Sequence, residues 1–316
     1  MNARKAGIIG CGNVGASIAF SLMQRGIFSS LVLVDVDRAR AEGEAMDLSH
    51  GLPYTAAMTI SAGDYGDLAD CGLIIITAGA GQKPGETRLD LIGKNVRILA
   101  DVVGKIKATA FEGILLVVSN PVDILTWEAQ RLSGYPASRV IGSGTVLDTA
   151  RLKQLLGRRL SVDSRSVHAF IIGEHGDSEL AVWSGANVSG IDLNHFCELR
   201  GFMDHDRAME ELYRGVRDSA YEIIARKGAT YYGIAMAVAR IAEAIVKDEQ
   251  AVLPVSTVLQ GEYGLHDMAM SIPAVIGKDG VKTVLEIPLS SAEHDALYAS
   301  AAQLREAIAA AEKTAR

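Results

Sequence analysis

The stretch Ala6-Gly7-Ile8-Ile9-Gly10-Cys11-Gly12-Asn13-Val14-Gly15-Ala16-Ser17-Ile18-Ala19-Phe20-Ser21-Leu22-Met23 decides the fold. It is uncharged over 18 residues and follows Arg4 and Lys5, so it superficially mimics a secretory leader. Gly7, Gly10, Gly12 and Gly15 would break an apolar helix, and Asn13 sits in its middle. The run reads instead as a buried strand over 6–10, a glycine turn, and a helix over 13–25 that Gly26 is placed to end. Gly10-Cys11-Gly12-Asn13-Val14-Gly15 fits GxGxxG, which is a weak signal alone and a stronger one between a strand and a helix. The first glycine permits a tight turn, the second lets a pyrophosphate approach the backbone, and the third allows close helix–sheet packing. The helix N-terminus offers N–H donors and positive dipole to the phosphates.

Working outward, Leu31–Val36 (LVLVDV) is a β-branched strand, and a helix over 38–49 is capped by Asp37. Asp35 closes that strand twenty residues after Gly15. A carboxylate there can accept from both ribose hydroxyls and would repel a 2′-phosphate, which favours NAD over NADP. A glycine-rich turn with an unrelated strand-end Asp, or a flavin site, would share the same fingerprint. Leu73–Thr77 (LIIIT) and Ile114–Val118 (ILLVV) are continuous apolar runs, as strands covered on both faces require, with a long helix over about 87–108 between them. This alternation predicts an α/β, doubly wound parallel (Rossmann) sheet.

The pattern changes after Ser143. Paired β-rich runs lie near 167–172, 180–183, 252–261 and 268–285, with helices near 205–226, 230–247 and 291–313. The expected division is 1–145 for a dinucleotide domain and 146–316 for an α+β substrate domain. The length of 316 residues suits two domains at roughly 150 each. The chain carries 31 basic and 38 acidic residues, net −7, with 13 and 14 of them before position 146. The second half therefore holds nearly all of the excess negative charge. No basic stripe exists to neutralise phosphates along a duplex, which argues against nucleic-acid binding. Nothing else approaches the length of a membrane span. Cys11, Cys71 and Cys197 are odd in number and widely spaced. They fit neither a disulfide framework nor a metal site and read as buried thiols in a reducing cytosol, so the expected location is the cytoplasm.

Candidate chemistry gathers at three places. His175 lies in Gly173-Glu174-His175-Gly176-Asp177-Ser178, a polar, glycine-flanked turn, where an imidazole could exchange a proton at neutral pH. Asp148 and Arg151, in Leu147-Asp148-Thr149-Ala150-Arg151, share one helical face. A carboxylate beside an imidazole fixes its tautomer, and a guanidinium binds a carboxylate through two parallel bonds. A structural histidine and a surface helical ion pair are the plainer readings of the same residues. Gly176-Asp177-Ser178-Glu179-Leu180 also matches a GDS esterase motif, but Asp192-Leu193-Asn194-His195 follows too soon after Ser178, and no GxSxG or GxxxxGK[ST] occurs.

The motifs in order are GxGxxG, Asp35, Gln82…Gly85-Glu86-Thr87-Arg88, Ser119-Asn120-Pro121, Leu147–Arg151 and Gly173–Ser178. That order resembles the L-lactate/malate dehydrogenase family from about Lys5 to beyond Lys282. The resemblance implies an NAD-dependent oxidoreductase acting on a 2-hydroxy acid. By it, His175 exchanges the proton, Asp148 orients it, Arg151 grips the substrate carboxylate, and Arg88 polarises the carbonyl as a loop closes. Asn120 hydrogen-bonds the reacting oxygen and the cofactor, Thr230 stands at the substrate's small end, and Ile234 backs the nicotinamide. Gly10, Gly12, Asn13, Val14, Gly15, Asp35, Thr77, Ala78 and Gly79 complete the cofactor face. No metal is implied. The glycine-rich segment 79–85 could serve as the lid.

Gln82 stands where malate-specific members carry arginine for the second carboxylate of oxaloacetate. A neutral residue there leaves that carboxylate without a countercharge, so pyruvate and L-lactate are the expected pair. A malate enzyme, with Lys83 supplying the charge, or an enzyme of a bulkier L-2-hydroxy acid are the alternatives. Bacterial members activated by fructose 1,6-bisphosphate bind phosphate with residues matching Lys153 and His168. The histidine is retained and the arginine is not. Such sites form across subunits, which implies a homotetramer.

Overall fold

The structure is a computed structural model that describes residues 1–81, 88–202 and 205–315, with only the backbone of 88, 205, 206 and 311–315. The first half runs β1 (Asn2–Ile9), α1 (Asn13–Arg25), β2 (Ser30–Val34), α2 (Arg38–His50), β3 (Thr59–Ala62), β4 (Cys71–Ile76), α3 (Arg88–Lys107), β5 (Ile114–Val117), α4 (Val122–Ser133) and β6 (Val140–Gly142). These strands pair in parallel in the order β3-β2-β1-β4-β5-β6. The order reverses between β1 and β4, which opens a crevice beyond their carboxyl ends.

Side-chain alternation explains the layering. Ile8, Leu31, Leu33, Leu73, Ile75 and Leu116 pack with Ile18 and Leu22 of α1 on one face of the sheet. Their immediate neighbours Ile9, Val32, Ile74, Ile76 and Leu115 pack with Ile92, Val96 and Leu99 of α3 on the other. Every residue of β4 and β5 is buried, so truncating one of these isoleucines or leucines to alanine costs about 2–5 kcal/mol. Gly26 ends α1 in the left-handed region at φ 61°, and Asp37 caps α2 by accepting the N–H of Arg40 at 3.2 Å.

The second half continues with α5 (Val146–Leu160), β7 (Val167–His168), β8 (Ile171–Ile172), β9 (Leu180–Ala181), β10 (Asn187–Val188), β11 (Ile191–Asp192), α6 (Leu193–Leu199), α7 (His205–Lys227), α8 (Tyr232–Val246), β12 (Ala251–Gln260), β13 (His266–Gly277), β14 (Gly280–Val284) and α9 (Ser291–Ala315). The long strands β12, β13 and β14 form an antiparallel meander that joins the main sheet at Ser256↔Gly142, beside β6. The sheet thus crosses position 145, and α8 packs on α1, over the sheet face that α1 covers. Leu152, Leu156 and Leu160 of α5 build a third core with Val167, Ile171 and Val216. The run expected over 167–172 divides into β7 and β8, which pair in two separate small sheets. Cys11, Cys71 and Cys197 are buried and unbridged. Among the described residues, no helix is long and apolar enough to cross a membrane.

Candidate active site

The crevice at the carboxyl ends of β1, β2 and β4 is a cleft of 770 Å³ lined by Gly10, Gly12, Val34, Asp35, Ala78 and Gly79. Its floor is the glycine turn. Gly10 has φ +100°, and a Cβ there would meet the Ala78 backbone nitrogen at 2.6 Å; a Cβ on Gly15 would fall 1.9 Å from the Gly10 carbonyl. Gly12 faces open space, and α1 starts with no side-chain cap, so the N–H groups of its first turn, at Asn13 and Val14, remain for an anion. Thr77 ties the turn down, its hydroxyl donating to the Gly10 carbonyl at 2.6 Å. Asp35 accepts the N–H of Cys11 at 2.5 Å on Oδ2 and that of Asp37 at 2.9 Å on Oδ1. Both oxygens are fixed, and each keeps a lone pair for a ribose hydroxyl. A dinucleotide fits this cradle.

Tyr65, Arg97, Ile98, Asp101 and Lys105 also line the cleft and were not singled out from the sequence. Their signal is the i, i+4, i+8 spacing of Arg97, Asp101 and Lys105 on α3. Lys105 donates to Asp101 at 2.6 Å and lies 5.4 Å from the centre of the Tyr65 ring.

A second pocket of 340 Å³ is lined by Leu91, Ile92, Asn120, Pro121, His175, Gly176, Asp177 and Tyr221. Two buried side chains join the cavities. Ser119 Oγ donates to the Ala78 carbonyl at 2.6 Å. Asn95 accepts the Ala80 N–H at 2.8 Å and donates to the Asn120 carbonyl at 2.8 Å. Asn95, unremarkable in the sequence, thereby sets the spacing between the base of the 79–85 segment and Asn120.

His175 is placed by its backbone. Gly173, at φ +95°, donates its N–H to the Ser271 carbonyl on β13 at 2.9 Å. Glu174 donates to Ser300 Oγ on α9 at 2.9 Å, and His175 donates to Asp123 Oδ2 on α4 at 2.7 Å. Three successive amides are thus anchored on three different elements. Asp123 is 1% exposed and accepts the Ser256 hydroxyl at 2.6 Å on its other oxygen; burial pushes its carboxyl up to about 6.

Asp148 and Arg151 occupy the first two turns of α5. Asp148 Oδ2 lies 2.6 Å from His175 Nδ1, and Oδ1 accepts from Arg151 Nη1 at 2.6 Å. Asp148 is fully enclosed, whereas His175, which lines the pocket, and Arg151 retain some exposure. The pair is therefore no surface ion pair. Burial alone would raise the Asp148 carboxyl, but His175 and Arg151 outweigh it and hold it below its ordinary value. Burial would lower His175; the facing carboxylates Asp148, Asp123 and Glu179 outweigh it and push the imidazole up to about 9. Because Nδ1 is taken by Asp148, Nε2 is the atom left to exchange a proton with a ligand.

The structure brings His175, Asp148, Arg151 and the Asn120 region together. Thr230 is half-buried two residues before α8, and Ile234, on the first turn of α8, packs against the sheet core. Gln82 and the side chain of Arg88 lie outside the described residues. His168 is exposed and lines a separate cavity of 560 Å³ with Phe170, Val182, Asn187 and Ile287. Lys153 is not part of that wall; it is half-buried on α5, and desolvation lowers its ammonium from its ordinary value.

Residues 4–142 match a family described as lactate/malate dehydrogenase, NAD binding domain, and residues 145–315 match the lactate/malate dehydrogenase, alpha/beta C-terminal domain. The L-lactate dehydrogenase of Priestia megaterium is 50% identical over 96% of this chain and 95% of its own length. L-lactate dehydrogenase 1 of Lactococcus lactis subsp. lactis is 51% identical over 96% of this chain and 93% of its own. Among solved structures, a lactate dehydrogenase from a Medee basin deep-sea metagenome library superposes with a TM-score of 0.96 at 46% identity, covering 99% of this chain and 100% of that one. The minor L-lactate dehydrogenase of Enterococcus mundtii, in its ligand-bound form, gives 0.94 at 43% identity, covering 97% and 98%.

Proposed function

The chain belongs to the lactate/malate dehydrogenase family, and from that premise we infer that it is an NAD-dependent L-lactate dehydrogenase interconverting pyruvate and L-lactate. The observation that carries the chemistry is the His175–Asp148–Arg151 chain, joined by two 2.6 Å bonds, with His175 lining the pocket beside Asn120. When bound, NADH supplies a hydride to the carbonyl carbon of pyruvate. This chain's residues do the rest. Arg151 spends one guanidinium donor on Asp148 and keeps others for the substrate carboxylate. Protonated His175 presents Nε2–H to the carbonyl oxygen and gives up that proton as negative charge develops there. Asp148 holds the ring by Nδ1 and stabilises its cation before the transfer. Asn120 adds a donor to the reacting oxygen. Arg88 polarises the carbonyl, Thr230 borders the methyl end, and Ile234 closes the nicotinamide side. Residues 1–145 carry the dinucleotide, and 146–316 carry most of the substrate chemistry.

Gln82 favours pyruvate, because it offers no charge to a second carboxylate. A homotetramer in the cytoplasm is the assembly we propose; exposed Phe20, Met46, Tyr54, Tyr232 and Met236 supply apolar surface for subunit contacts. Fructose 1,6-bisphosphate is expected to lower the KM for pyruvate only modestly, since half-buried Lys153 lacks the planar fork of arginine. The deciding assay follows NADH absorbance with pyruvate and with oxaloacetate as alternative substrates. Loss of absorbance with oxaloacetate alone would overturn the lactate reading in favour of malate.

A further inference from the structure

Glu179 lies beside the proton-transfer pair and has no part in the scheme above. It directly precedes β9 and is 4% exposed, and its Oε1 has no hydrogen-bond partner although it is fully buried. A carboxylate oxygen of Glu179, a ring nitrogen of His175 and an oxygen of Asp148 all lie within 4.8 Å of one another. The backbone holds it there: its N–H donates to the Gly176 carbonyl at 3.2 Å, and its own carbonyl accepts the Tyr213 hydroxyl. The surrounding charges are Asp148 and Arg151 on α5, His175 on the loop, and Arg217 and Tyr213 on α7; Asp123 on α4 faces His175 from the other side.

A buried carboxylate with an orphaned oxygen is costly unless it carries a proton. Like-charge repulsion leads to the same place. The site already holds the Asp148 carboxylate close to Glu179, and a substrate carboxylate on Arg151 brings a second negative charge. An ionised Glu179 would add a further negative charge beside the anion that Arg151 must hold.

We propose that Glu179 is a positioning residue that must be protonated for the 2-oxo acid to bind, so the productive site holds two exchangeable protons, one on His175 and one on Glu179. The inference rests on the reading of Arg151 as carboxylate grip and His175 as proton donor. Burial and Asp148 push the Glu179 carboxyl up to about 8, which outweighs the opposing pull of His175, Arg151 and Arg217. Its neighbours titrate elsewhere: Asp123 at about 6, Asp148 below its ordinary value and Tyr213 above its own.

The test is the pH dependence of pyruvate reduction from pH 6.5 to 10, in wild type and Glu179→Gln, a permanently neutral isostere. In wild type, log kcat/KM for pyruvate is expected to fall with a limiting slope of two, because each lost proton costs tenfold per pH unit. In Glu179→Gln the slope is expected to fall to one, the His175 limb alone. The kcat profile should lack the added limb, since saturating pyruvate overcomes a binding defect. A limiting slope of one in wild type, which needs no variant to fold, overturns the proposal. A slope of two that persists in Glu179→Gln overturns it as well. Failure of the underlying reading looks different: wild type would then show no alkaline loss of kcat/KM at all.

Discussion

The backbone N–H of His175 donates to Asp123 Oδ2 at 2.7 Å across 52 residues of sequence. The other Asp123 oxygen accepts the Ser256 hydroxyl at 2.6 Å, with Ser271 at 3.4 Å. One carboxylate in the first turn of α4 therefore joins the histidine loop to β12 and β13. His175 is held at its ring by Asp148 on α5 and at its backbone by Asp123 on α4, so its orientation is set from two sides.

That arrangement predicts a graded response to changes at Asp123. Asp123→Ala leaves the His175 amide and the Ser256 hydroxyl buried without an acceptor, at about 1–3 kcal/mol for each unpaired group. Asp123→Asn keeps one acceptor oxygen, and the serine hydroxyl can rotate to accept from the new amide. The expected order of melting temperature is wild type, then Asn, then Ala. The expected order of kcat/KM is the same, with Ala down by roughly tenfold to a hundredfold through misplacement of the ring. An Ala variant that melts with wild type and turns over normally would show that the loop is held by its other anchors.

The raised His175 value fixes the sign of the pH response in each direction. Pyruvate reduction needs the imidazolium, which persists up to about pH 9, so kcat for pyruvate reduction should be flat near neutrality and fall above that value. Lactate oxidation needs the neutral ring and should gain rate as pH rises toward the same value. His175→Asn should remove both limbs and lower turnover by about 10²–10⁴ while NADH binding persists. Parallel profiles in the two directions would rule out His175 as the group that titrates.

Much of this site was legible in the chain, and the rest was not, for identifiable reasons. The dinucleotide cradle is local: Gly10, Gly12, Gly15 and Asp35 act within one βαβ unit, so spacing and strand ends suffice to find them. Asp148 and Arg151 are also local, being three residues apart on one helix. Asp123 and Asn95 are not: each bonds groups distant in sequence, His175 and Ser256 for Asp123, Ala80 and Asn120 for Asn95. Glu179 is only four residues from His175, but the burial that leaves its Oε1 without a partner comes from the tertiary fold. The antiparallel extension of the sheet by β12–β14 was hidden for the same reason, since a single register pair, Ser256↔Gly142, fastens it to β6. The short strands β7 to β11 are two residues each, below the length at which periodicity carries information.

Asp35 offers a test of cofactor choice. Its two oxygens are aligned by the amides of Cys11 and Asp37, and it lines the cleft at the end of β2. Replacing it with serine removes the charge that repels a 2′-phosphate, and Arg97 and Lys105 line the same cleft as cations. Asp35→Ser is expected to raise kcat/KM for NADPH relative to NADH, chiefly by weakening NADH. A wild-type enzyme that already prefers NADPH would contradict the reading of Asp35.

The sharpest test of substrate choice is Gln82→Arg. Oxaloacetate differs from pyruvate by one carboxylate at the methyl end, and a closed pocket without a cation there leaves that charge desolvated and unpaired, at several kcal/mol. Arginine supplies two parallel donors to such a carboxylate, whereas beside the methyl of pyruvate it would itself be a desolvated cation without a partner. The substitution therefore acts on both substrates in opposite senses. Measured as kcat/KM for pyruvate over kcat/KM for oxaloacetate, the ratio is expected to fall by at least a hundredfold, since 2.7 kcal/mol or so of differential binding corresponds to about that factor. Lys83, one residue along, provides the internal control. Lys83→Gln should leave the wild-type ratio within a few fold if Gln82 is the selector. If instead Gln82→Arg leaves the ratio unmoved while Lys83→Gln shifts it toward pyruvate, the lysine is the residue that meets the second carboxylate.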